Sequence, residues 1–139
     1  MSWLFWSFLS AVFAAATALL AKAGMNEINS NLATAWRTSV VLVFVWGIAL
    51  ATNRPESITE LSKRNWLFLV LSGIATGLSW LCYFRALQLG DVSRVAPVDK
   101  LSVVLVIVFA ALFLGEPLTW QTIAGGGMIA AGAVVLVLK

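Results

Sequence analysis

Three stretches of this chain run without a charged residue for 21, 20 and 22 positions: Met1–Ala21, Asn65–Phe84 and Pro117–Leu138. An α-helix rises ~1.5 Å per residue, so each run can cross a hydrocarbon layer about 30 Å thick. Lipid offers backbone N–H and C=O groups no partners, and a crossing segment must therefore be a helix or a strand of a closed barrel. Barrel strands are about half as long and alternate in polarity. Continuous apolar runs of this length predict helices. Two segments with shorter uncharged cores complete a set of five predicted spans, at residues 3–22, 31–52, 65–87, 95–114 and 119–138. The fold class is all-α integral membrane protein.

Composition agrees. Of 139 residues 61% are hydrophobic and 11% charged, against roughly 25% charged in a soluble domain. The net charge of +3 comes from basic residues at the ends of apolar segments. They form no stripe or block, so they read as headgroup anchors and not as a nucleic-acid surface. With no histidine and a single cysteine, Cys82, inside an apolar run, the chain offers neither a zinc ligand set nor a histidine-based catalytic group. No enzyme activity, metal or cofactor is predicted. The first apolar run resembles a signal peptide in its small-residue end, but it lacks a basic start and four more spans follow. It reads as a retained first span.

The connections are short. TNRPESITELSKRN is the longest, a solvated loop with room for an interfacial turn at SITELSKR. In LGEPLT, Gly115 can end the fourth helix, Pro117 can open the fifth, and the Glu116 carboxylate can cap it. No hydrophilic domain is present, so function belongs in or across the bilayer. The whole chain, 1–139, reads as one transmembrane domain.

Small residues mark where helices can approach in lipid. Gly73 and Gly77 on the third span, and Gly125, Gly126, Gly127 and Gly132 on the fifth, are the candidates for helix packing or a subunit contact. Trp3, Trp36, Trp66 and Trp120 sit near span ends, as an interfacial belt would. Trp80 lies deeper, with Tyr83 on the same helical face. Charges inside spans cost a few kcal/mol and normally face protein or a water-filled cavity. Arg37 can either snorkel to the headgroups or line a polar cavity. Asp99 and Lys100, with Arg94 and Pro97 just before them, can neutralise each other or a nearby arginine, or contact a solute. The first, third and fifth spans hold no mid-membrane carboxylate, so no proton relay is evident.

From Phe84 to Leu87 the third span ends in an aromatic-x-Ala-Leu pattern, followed by Ser93, Val95 and Pro97, the LGEPLT turn and a glycine-rich last helix. In this order and spacing the chain resembles an EamA repeat, the five-helix unit of the drug/metabolite transporter superfamily. Arg37 matches a basic residue often found in the second span of that unit, and PVDKLSVVLV resembles the branch made of a single repeat. Family members commonly carry two such repeats, inserted in opposite orientation around a central pathway. A single repeat implies that two copies, or two different half-size chains, combine. Because a repeat has an odd number of spans, two parallel copies could not form an inverted pair.

Charge distribution bears on this independently. The N-terminal side carries Arg54, Lys63 and Arg64, and the other side Lys22, Arg85, Arg94 and Lys139, three against four. So weak a bias suits a chain that inserts both ways. The expectation is an antiparallel dimer in a bacterial inner membrane, exporting a small organic metabolite, amine or amino-acid-like solute by alternating access. Arg37, Trp80, Tyr83, Asp99 and Lys100 are its candidate pathway residues. The related small multidrug exporters use a buried glutamate in their first helix, which is absent here. Alternatives are half of a lipid-linked sugar flippase and a non-transporting membrane scaffold.

Overall fold

The computed structural model describes residues 2–25, 27–52 and 61–138. Its helices are α1 (Trp3–Gly24), α2 (Ser30–Thr52), α3 (Lys63–Leu89), α4 (Val92–Asp99), α5 (Ser102–Phe109) and α6 (Trp120–Val137), with a π-helical turn at Ala110–Leu114 continuing α5. No strand occurs among the described residues. Five segments are long and apolar enough to cross a membrane, the fourth being Val92–Leu114. The chain is an all-helical, multi-pass integral membrane protein. Residues 53–60, which include Arg54 and part of the expected interfacial turn, lie outside the described residues, as does Lys139.

Burial is inverted relative to a soluble protein. Ala18, Met25, Phe84, Leu87 and Ala133 are the buried apolar residues among those described, whereas side chains such as Phe113, 79% exposed, point outward on every span. Water would penalise that surface heavily; hydrocarbon does not.

The chain divides into two compact units, residues 24–88 and residues 1–23 with 89–139. In the first, α2 and α3 run antiparallel. Their register is set by Gln88, whose Nε2 donates to the Ile28 carbonyl at 2.6 Å, and by Arg37, which lies over the rings of Trp80 and Phe84. The Thr34 hydroxyl is buried and donates to the Ser30 carbonyl at 2.8 Å, so it is satisfied within its own helix.

In the second unit α6 packs against α4 and α5. At Gly126 the packing is tight: a Cβ there would stand 3.2 Å from Ile107 Cδ1. Lys22, at the end of α1, donates from Nζ to the Gly90 carbonyl at 3.0 Å.

The fourth span departs from the single helix predicted over 95–114. It starts at Val92, encloses Pro97, and breaks at Lys100 and Leu101. Proline has no N–H to give the Ser93 carbonyl and its ring crowds that group. The backbone then tightens: the amides of Leu101, Val103 and Val104 bond three residues back, to Val98, Lys100 and Leu101. At the far end the amides of Gly115 and Glu116 both reach the Ala110 carbonyl, with Gly115 at φ +69°. That left-handed conformation is the reason a glycine stands there.

Glu116 does not cap the last helix. Thr119 does, in extended conformation, its Oγ1 accepting from the Thr122 amide at 3.2 Å. Pro117 and Leu118 carry the chain past the turn before helical dihedrals begin at Trp120, placing the carboxylate too far upstream.

Candidate functional site

The α2–α3 unit contains a groove of about 450 Å³ lined by Thr38, Val41, Leu42, Val45 and Trp46 from α2, and by Leu69, Ser72, Gly73, Thr76, Gly77 and Trp80 from α3. The spacing of three and four on both helices puts each set on one face. Gly73 and Gly77 explain why the space exists. A Cβ at either would meet nothing within 4 Å, so these glycines hollow the helix surface without bringing a neighbouring backbone close. The same is true of Gly125, Gly127 and Gly132 on α6, which leaves Gly126 as the member of that cluster in close contact within the chain.

Arg37 does not line the groove itself but lies over the ring of Trp80, which does. Its guanidinium carbon is 4.3 Å from the Trp80 ring centroid and 5.0 Å from that of Phe84. Phe84 is fully buried and meets Tyr83 edge-on, with centroids 6.0 Å apart. The aromatic cluster therefore holds the guanidinium by cation–π attraction. Arg37 Nη1 is buried and has no hydrogen-bond partner among the described residues. No acidic side chain pairs with Arg37 among them either.

Magnitudes show why this is unusual. An arginine at the centre of a span costs about 2.5–3.5 kcal/mol on insertion scales. Arg37 lies four positions from residue 41, the midpoint of Ser30–Thr52, or ~6 Å along the axis. Two cation–π contacts return about 0.5–2 kcal/mol each, toward the lower end where water still reaches the cation. The contacts soften the cost of the charge and leave its hydrogen-bonding capacity unused. Such a group can bind an anion bidentately.

The sequence-predicted pathway residues thus separate. Arg37, Trp80 and Tyr83 belong to one cluster in the α2–α3 unit, while Asp99 and Lys100 belong to the other unit and pair with each other at 3.3 Å. Arg94 reaches Asp91 at 4.0 Å, and both side chains are well exposed. Exposed pairs of this kind contribute little stability. Lys100 falls on the break after Pro97, so its charge lies at an irregular point of the span. Sequence reasoning did not single out Phe84 as a site residue, although it stands one helical turn from Trp80 and hence on the same face. Nor did it find the hydroxyl-bearing groove residues Thr38, Ser72 and Thr76.

Comparison with known proteins matches residues 1–138 to the EamA-like transporter family. An uncharacterized transporter encoded in the cobO 3′ region of Sinorhizobium sp is 55% identical over 135 residues, a match covering 97% of this chain and 96% of that protein. The uncharacterized transporter YxxF of Bacillus subtilis (strain 168) is 28% identical over 140 residues. There the match covers 99% of this chain and 43% of the relative, so this chain spans less than half of YxxF. No solved structure gives a significant match.

Proposed function

This chain belongs to the EamA-like transporter family, and from that premise we propose that it is one half of a transport unit completed by a second, oppositely inserted copy. The chain is a membrane transporter of the drug/metabolite type. The assembled unit moves a small organic metabolite, amine or amino-acid-like solute by alternating access, outward across a bacterial inner membrane.

The observation that carries this reading is the length relation between relatives. One family protein, from Sinorhizobium, is matched over 96% of its length by this chain, and another, from Bacillus, over only 43%. The length relation supports a pathway assembled here from more than one chain. The near balance of loop charges, Arg54, Lys63 and Arg64 against Lys22, Arg85, Arg94 and Lys139, supports insertion in both orientations. An inverted pair of repeats places the solute near the midplane, between units that rock past each other. Arg37, Trp80 and Tyr83 beside the α2–α3 groove are the first contacts of that pathway, with Asp99 and Lys100 at the irregular point of the fourth span. The open glycines of α6, Gly125, Gly127 and Gly132, form part of the contact between copies.

Topology is the test. With Cys82 replaced by Ala, single cysteines at Ser62 and Ser93 report on opposite sides of the membrane. An impermeant thiol reagent on intact cells is expected to label both. Labelling of one alone removes the antiparallel homodimer and requires a different, oppositely inserted partner chain.

A further inference from the structure

We infer that the α2–α3 groove takes an elongated organic acid, its carboxylate on Arg37 and its apolar body lying along the helix faces between Trp80 and Trp46. The inference rests on the transporter reading and narrows it to a solute class.

Shape comes first. The lining residues run from Thr38 to Trp46 on α2, eight steps and so about 12 Å. A space of about 450 Å³ falls within the range for small-molecule sites. Its walls are mostly apolar: Val41, Leu42, Val45 and Leu69, with an indole toward each end. Because α2 and α3 are antiparallel, Thr38 and Trp80 share one end, and Trp46 and Leu69 share the other. The groove is therefore directional: no charged side chain lines it, and Arg37 lies over the indole at its Trp80 end.

Polarity then selects the occupant. The Thr38 and Thr76 hydroxyls donate to the Thr34 and Ser72 carbonyls, at 2.7 and 2.9 Å, so toward the groove these oxygens can only accept. No acidic side chain lines it. An amine or a sugar could donate to these oxygens, but an amine would find no counter-ion and would stand near the Arg37 cation. A carboxylate supplies the anionic partner that no described residue gives Arg37, through the part of this half-buried guanidinium that stays accessible beside the covered Nη1. The contact with Trp80, 4.3 Å from guanidinium carbon to ring centroid, restrains the guanidinium beside the groove's end, so the acid meets a positioned cation and not a swinging one.

The test uses the purified full chain in phosphatidylcholine nanodiscs and three probes of one shape: 4-phenylbutyrate, 4-phenylbutanamide and 4-phenylbutylamine. Binding is read as a rise in unfolding temperature and a change in tryptophan emission. The acid is expected to bind at least about tenfold more tightly than the amide or the amine. Arg37→Gln should abolish that preference, and Arg37→Lys, which keeps the charge and loses the planar fork, should restore part of it. Equal binding of the three probes overturns the inference, as does undiminished acid binding by Arg37→Gln. A further result against it is Arg37-dependent stabilisation by phosphatidylglycerol with no response to the acid, which would assign the site to a lipid phosphodiester. Flux in proteoliposomes separates this failure from that of the transporter reading. Amine flux independent of Arg37 sinks the acid and keeps the transporter; acid binding without flux of any probe does the reverse.

Discussion

Replacing Arg37 with Met should leave the fold intact or strengthen it while removing solute recognition. Methionine keeps an unbranched, flexible stem against Trp80 and Phe84 and removes the charge. The charge costs about 2.5–3.5 kcal/mol at a span's centre and less at Arg37, ~6 Å away along α2. The substitution also removes two cation–π interactions, with centroids at 4.3 and 5.0 Å. Each is worth about 0.5–1 kcal/mol where water still reaches the cation. The difference predicts a variant between neutral and about 1 kcal/mol more stable, the usual sign of a group retained for function. Denaturant titration in phosphatidylcholine nanodiscs, followed by tryptophan emission, measures the change, and the 4-phenylbutyrate shift reports recognition. Destabilisation beyond about 2 kcal/mol would refute the reasoning, because it would place Arg37 among satisfied structural groups whose removal breaks packing.

Three other substitutions probe the same architecture. Gly73→Leu should fold normally, since a Cβ there meets nothing within 4 Å, yet occupy the groove and remove probe binding; a stability loss above about 1 kcal/mol would show overpacking instead. Gly126→Ala should cost under about 1 kcal/mol because the terminal methyl of Ile107 can yield at 3.2 Å, whereas Gly126→Leu should cost about 1–3 kcal/mol by thermal unfolding. Thr119→Ala should cost about 1 kcal/mol by removing the cap on the Thr122 amide, and Glu116→Gln, measured the same way, should change stability much less.

The five spans were legible because lipid imposes a length and a polarity that composition cannot hide. Arg37 and Trp80 were legible for the related reason that a charge and a large indole at depth each need an explanation. What the apolar pattern could not convey was geometry within a span. Pro97 sits in a segment hydrophobic enough to be read as one helix, and its effect appears three residues later, as the tightened turn around Lys100 and Leu101. Gly73 and Gly77 carry the spacing of a packing motif, yet they border open space, because whether a small residue admits a helix or a groove depends on the partner's register. That register follows from contacts such as Gln88 to Ile28, between residues far apart in sequence. The cap at Thr119 was visible in principle, as a threonine just before the last apolar run.

The position of Arg37 has a consequence for an antiparallel pair. A residue ~6 Å from the midpoint of its span is carried by two-fold inversion to the same distance on the other side, so the backbone positions of the two Arg37 residues in such a dimer would stand about 12 Å apart along the helix direction. One lies nearer each aqueous face. A groove also about 12 Å long then has its cation toward one face in one copy and toward the opposite face in the other. Rocking between the copies would expose one arginine while covering its twin, which gives alternating access a charge-bearing site on each side without any mid-membrane carboxylate. Such an arrangement predicts that a dimer with one Arg37→Gln copy loses high-affinity binding from one face and keeps it from the other. Equal weakening from both faces in proteoliposomes of fixed orientation would mean that the two arginines act on one shared solute.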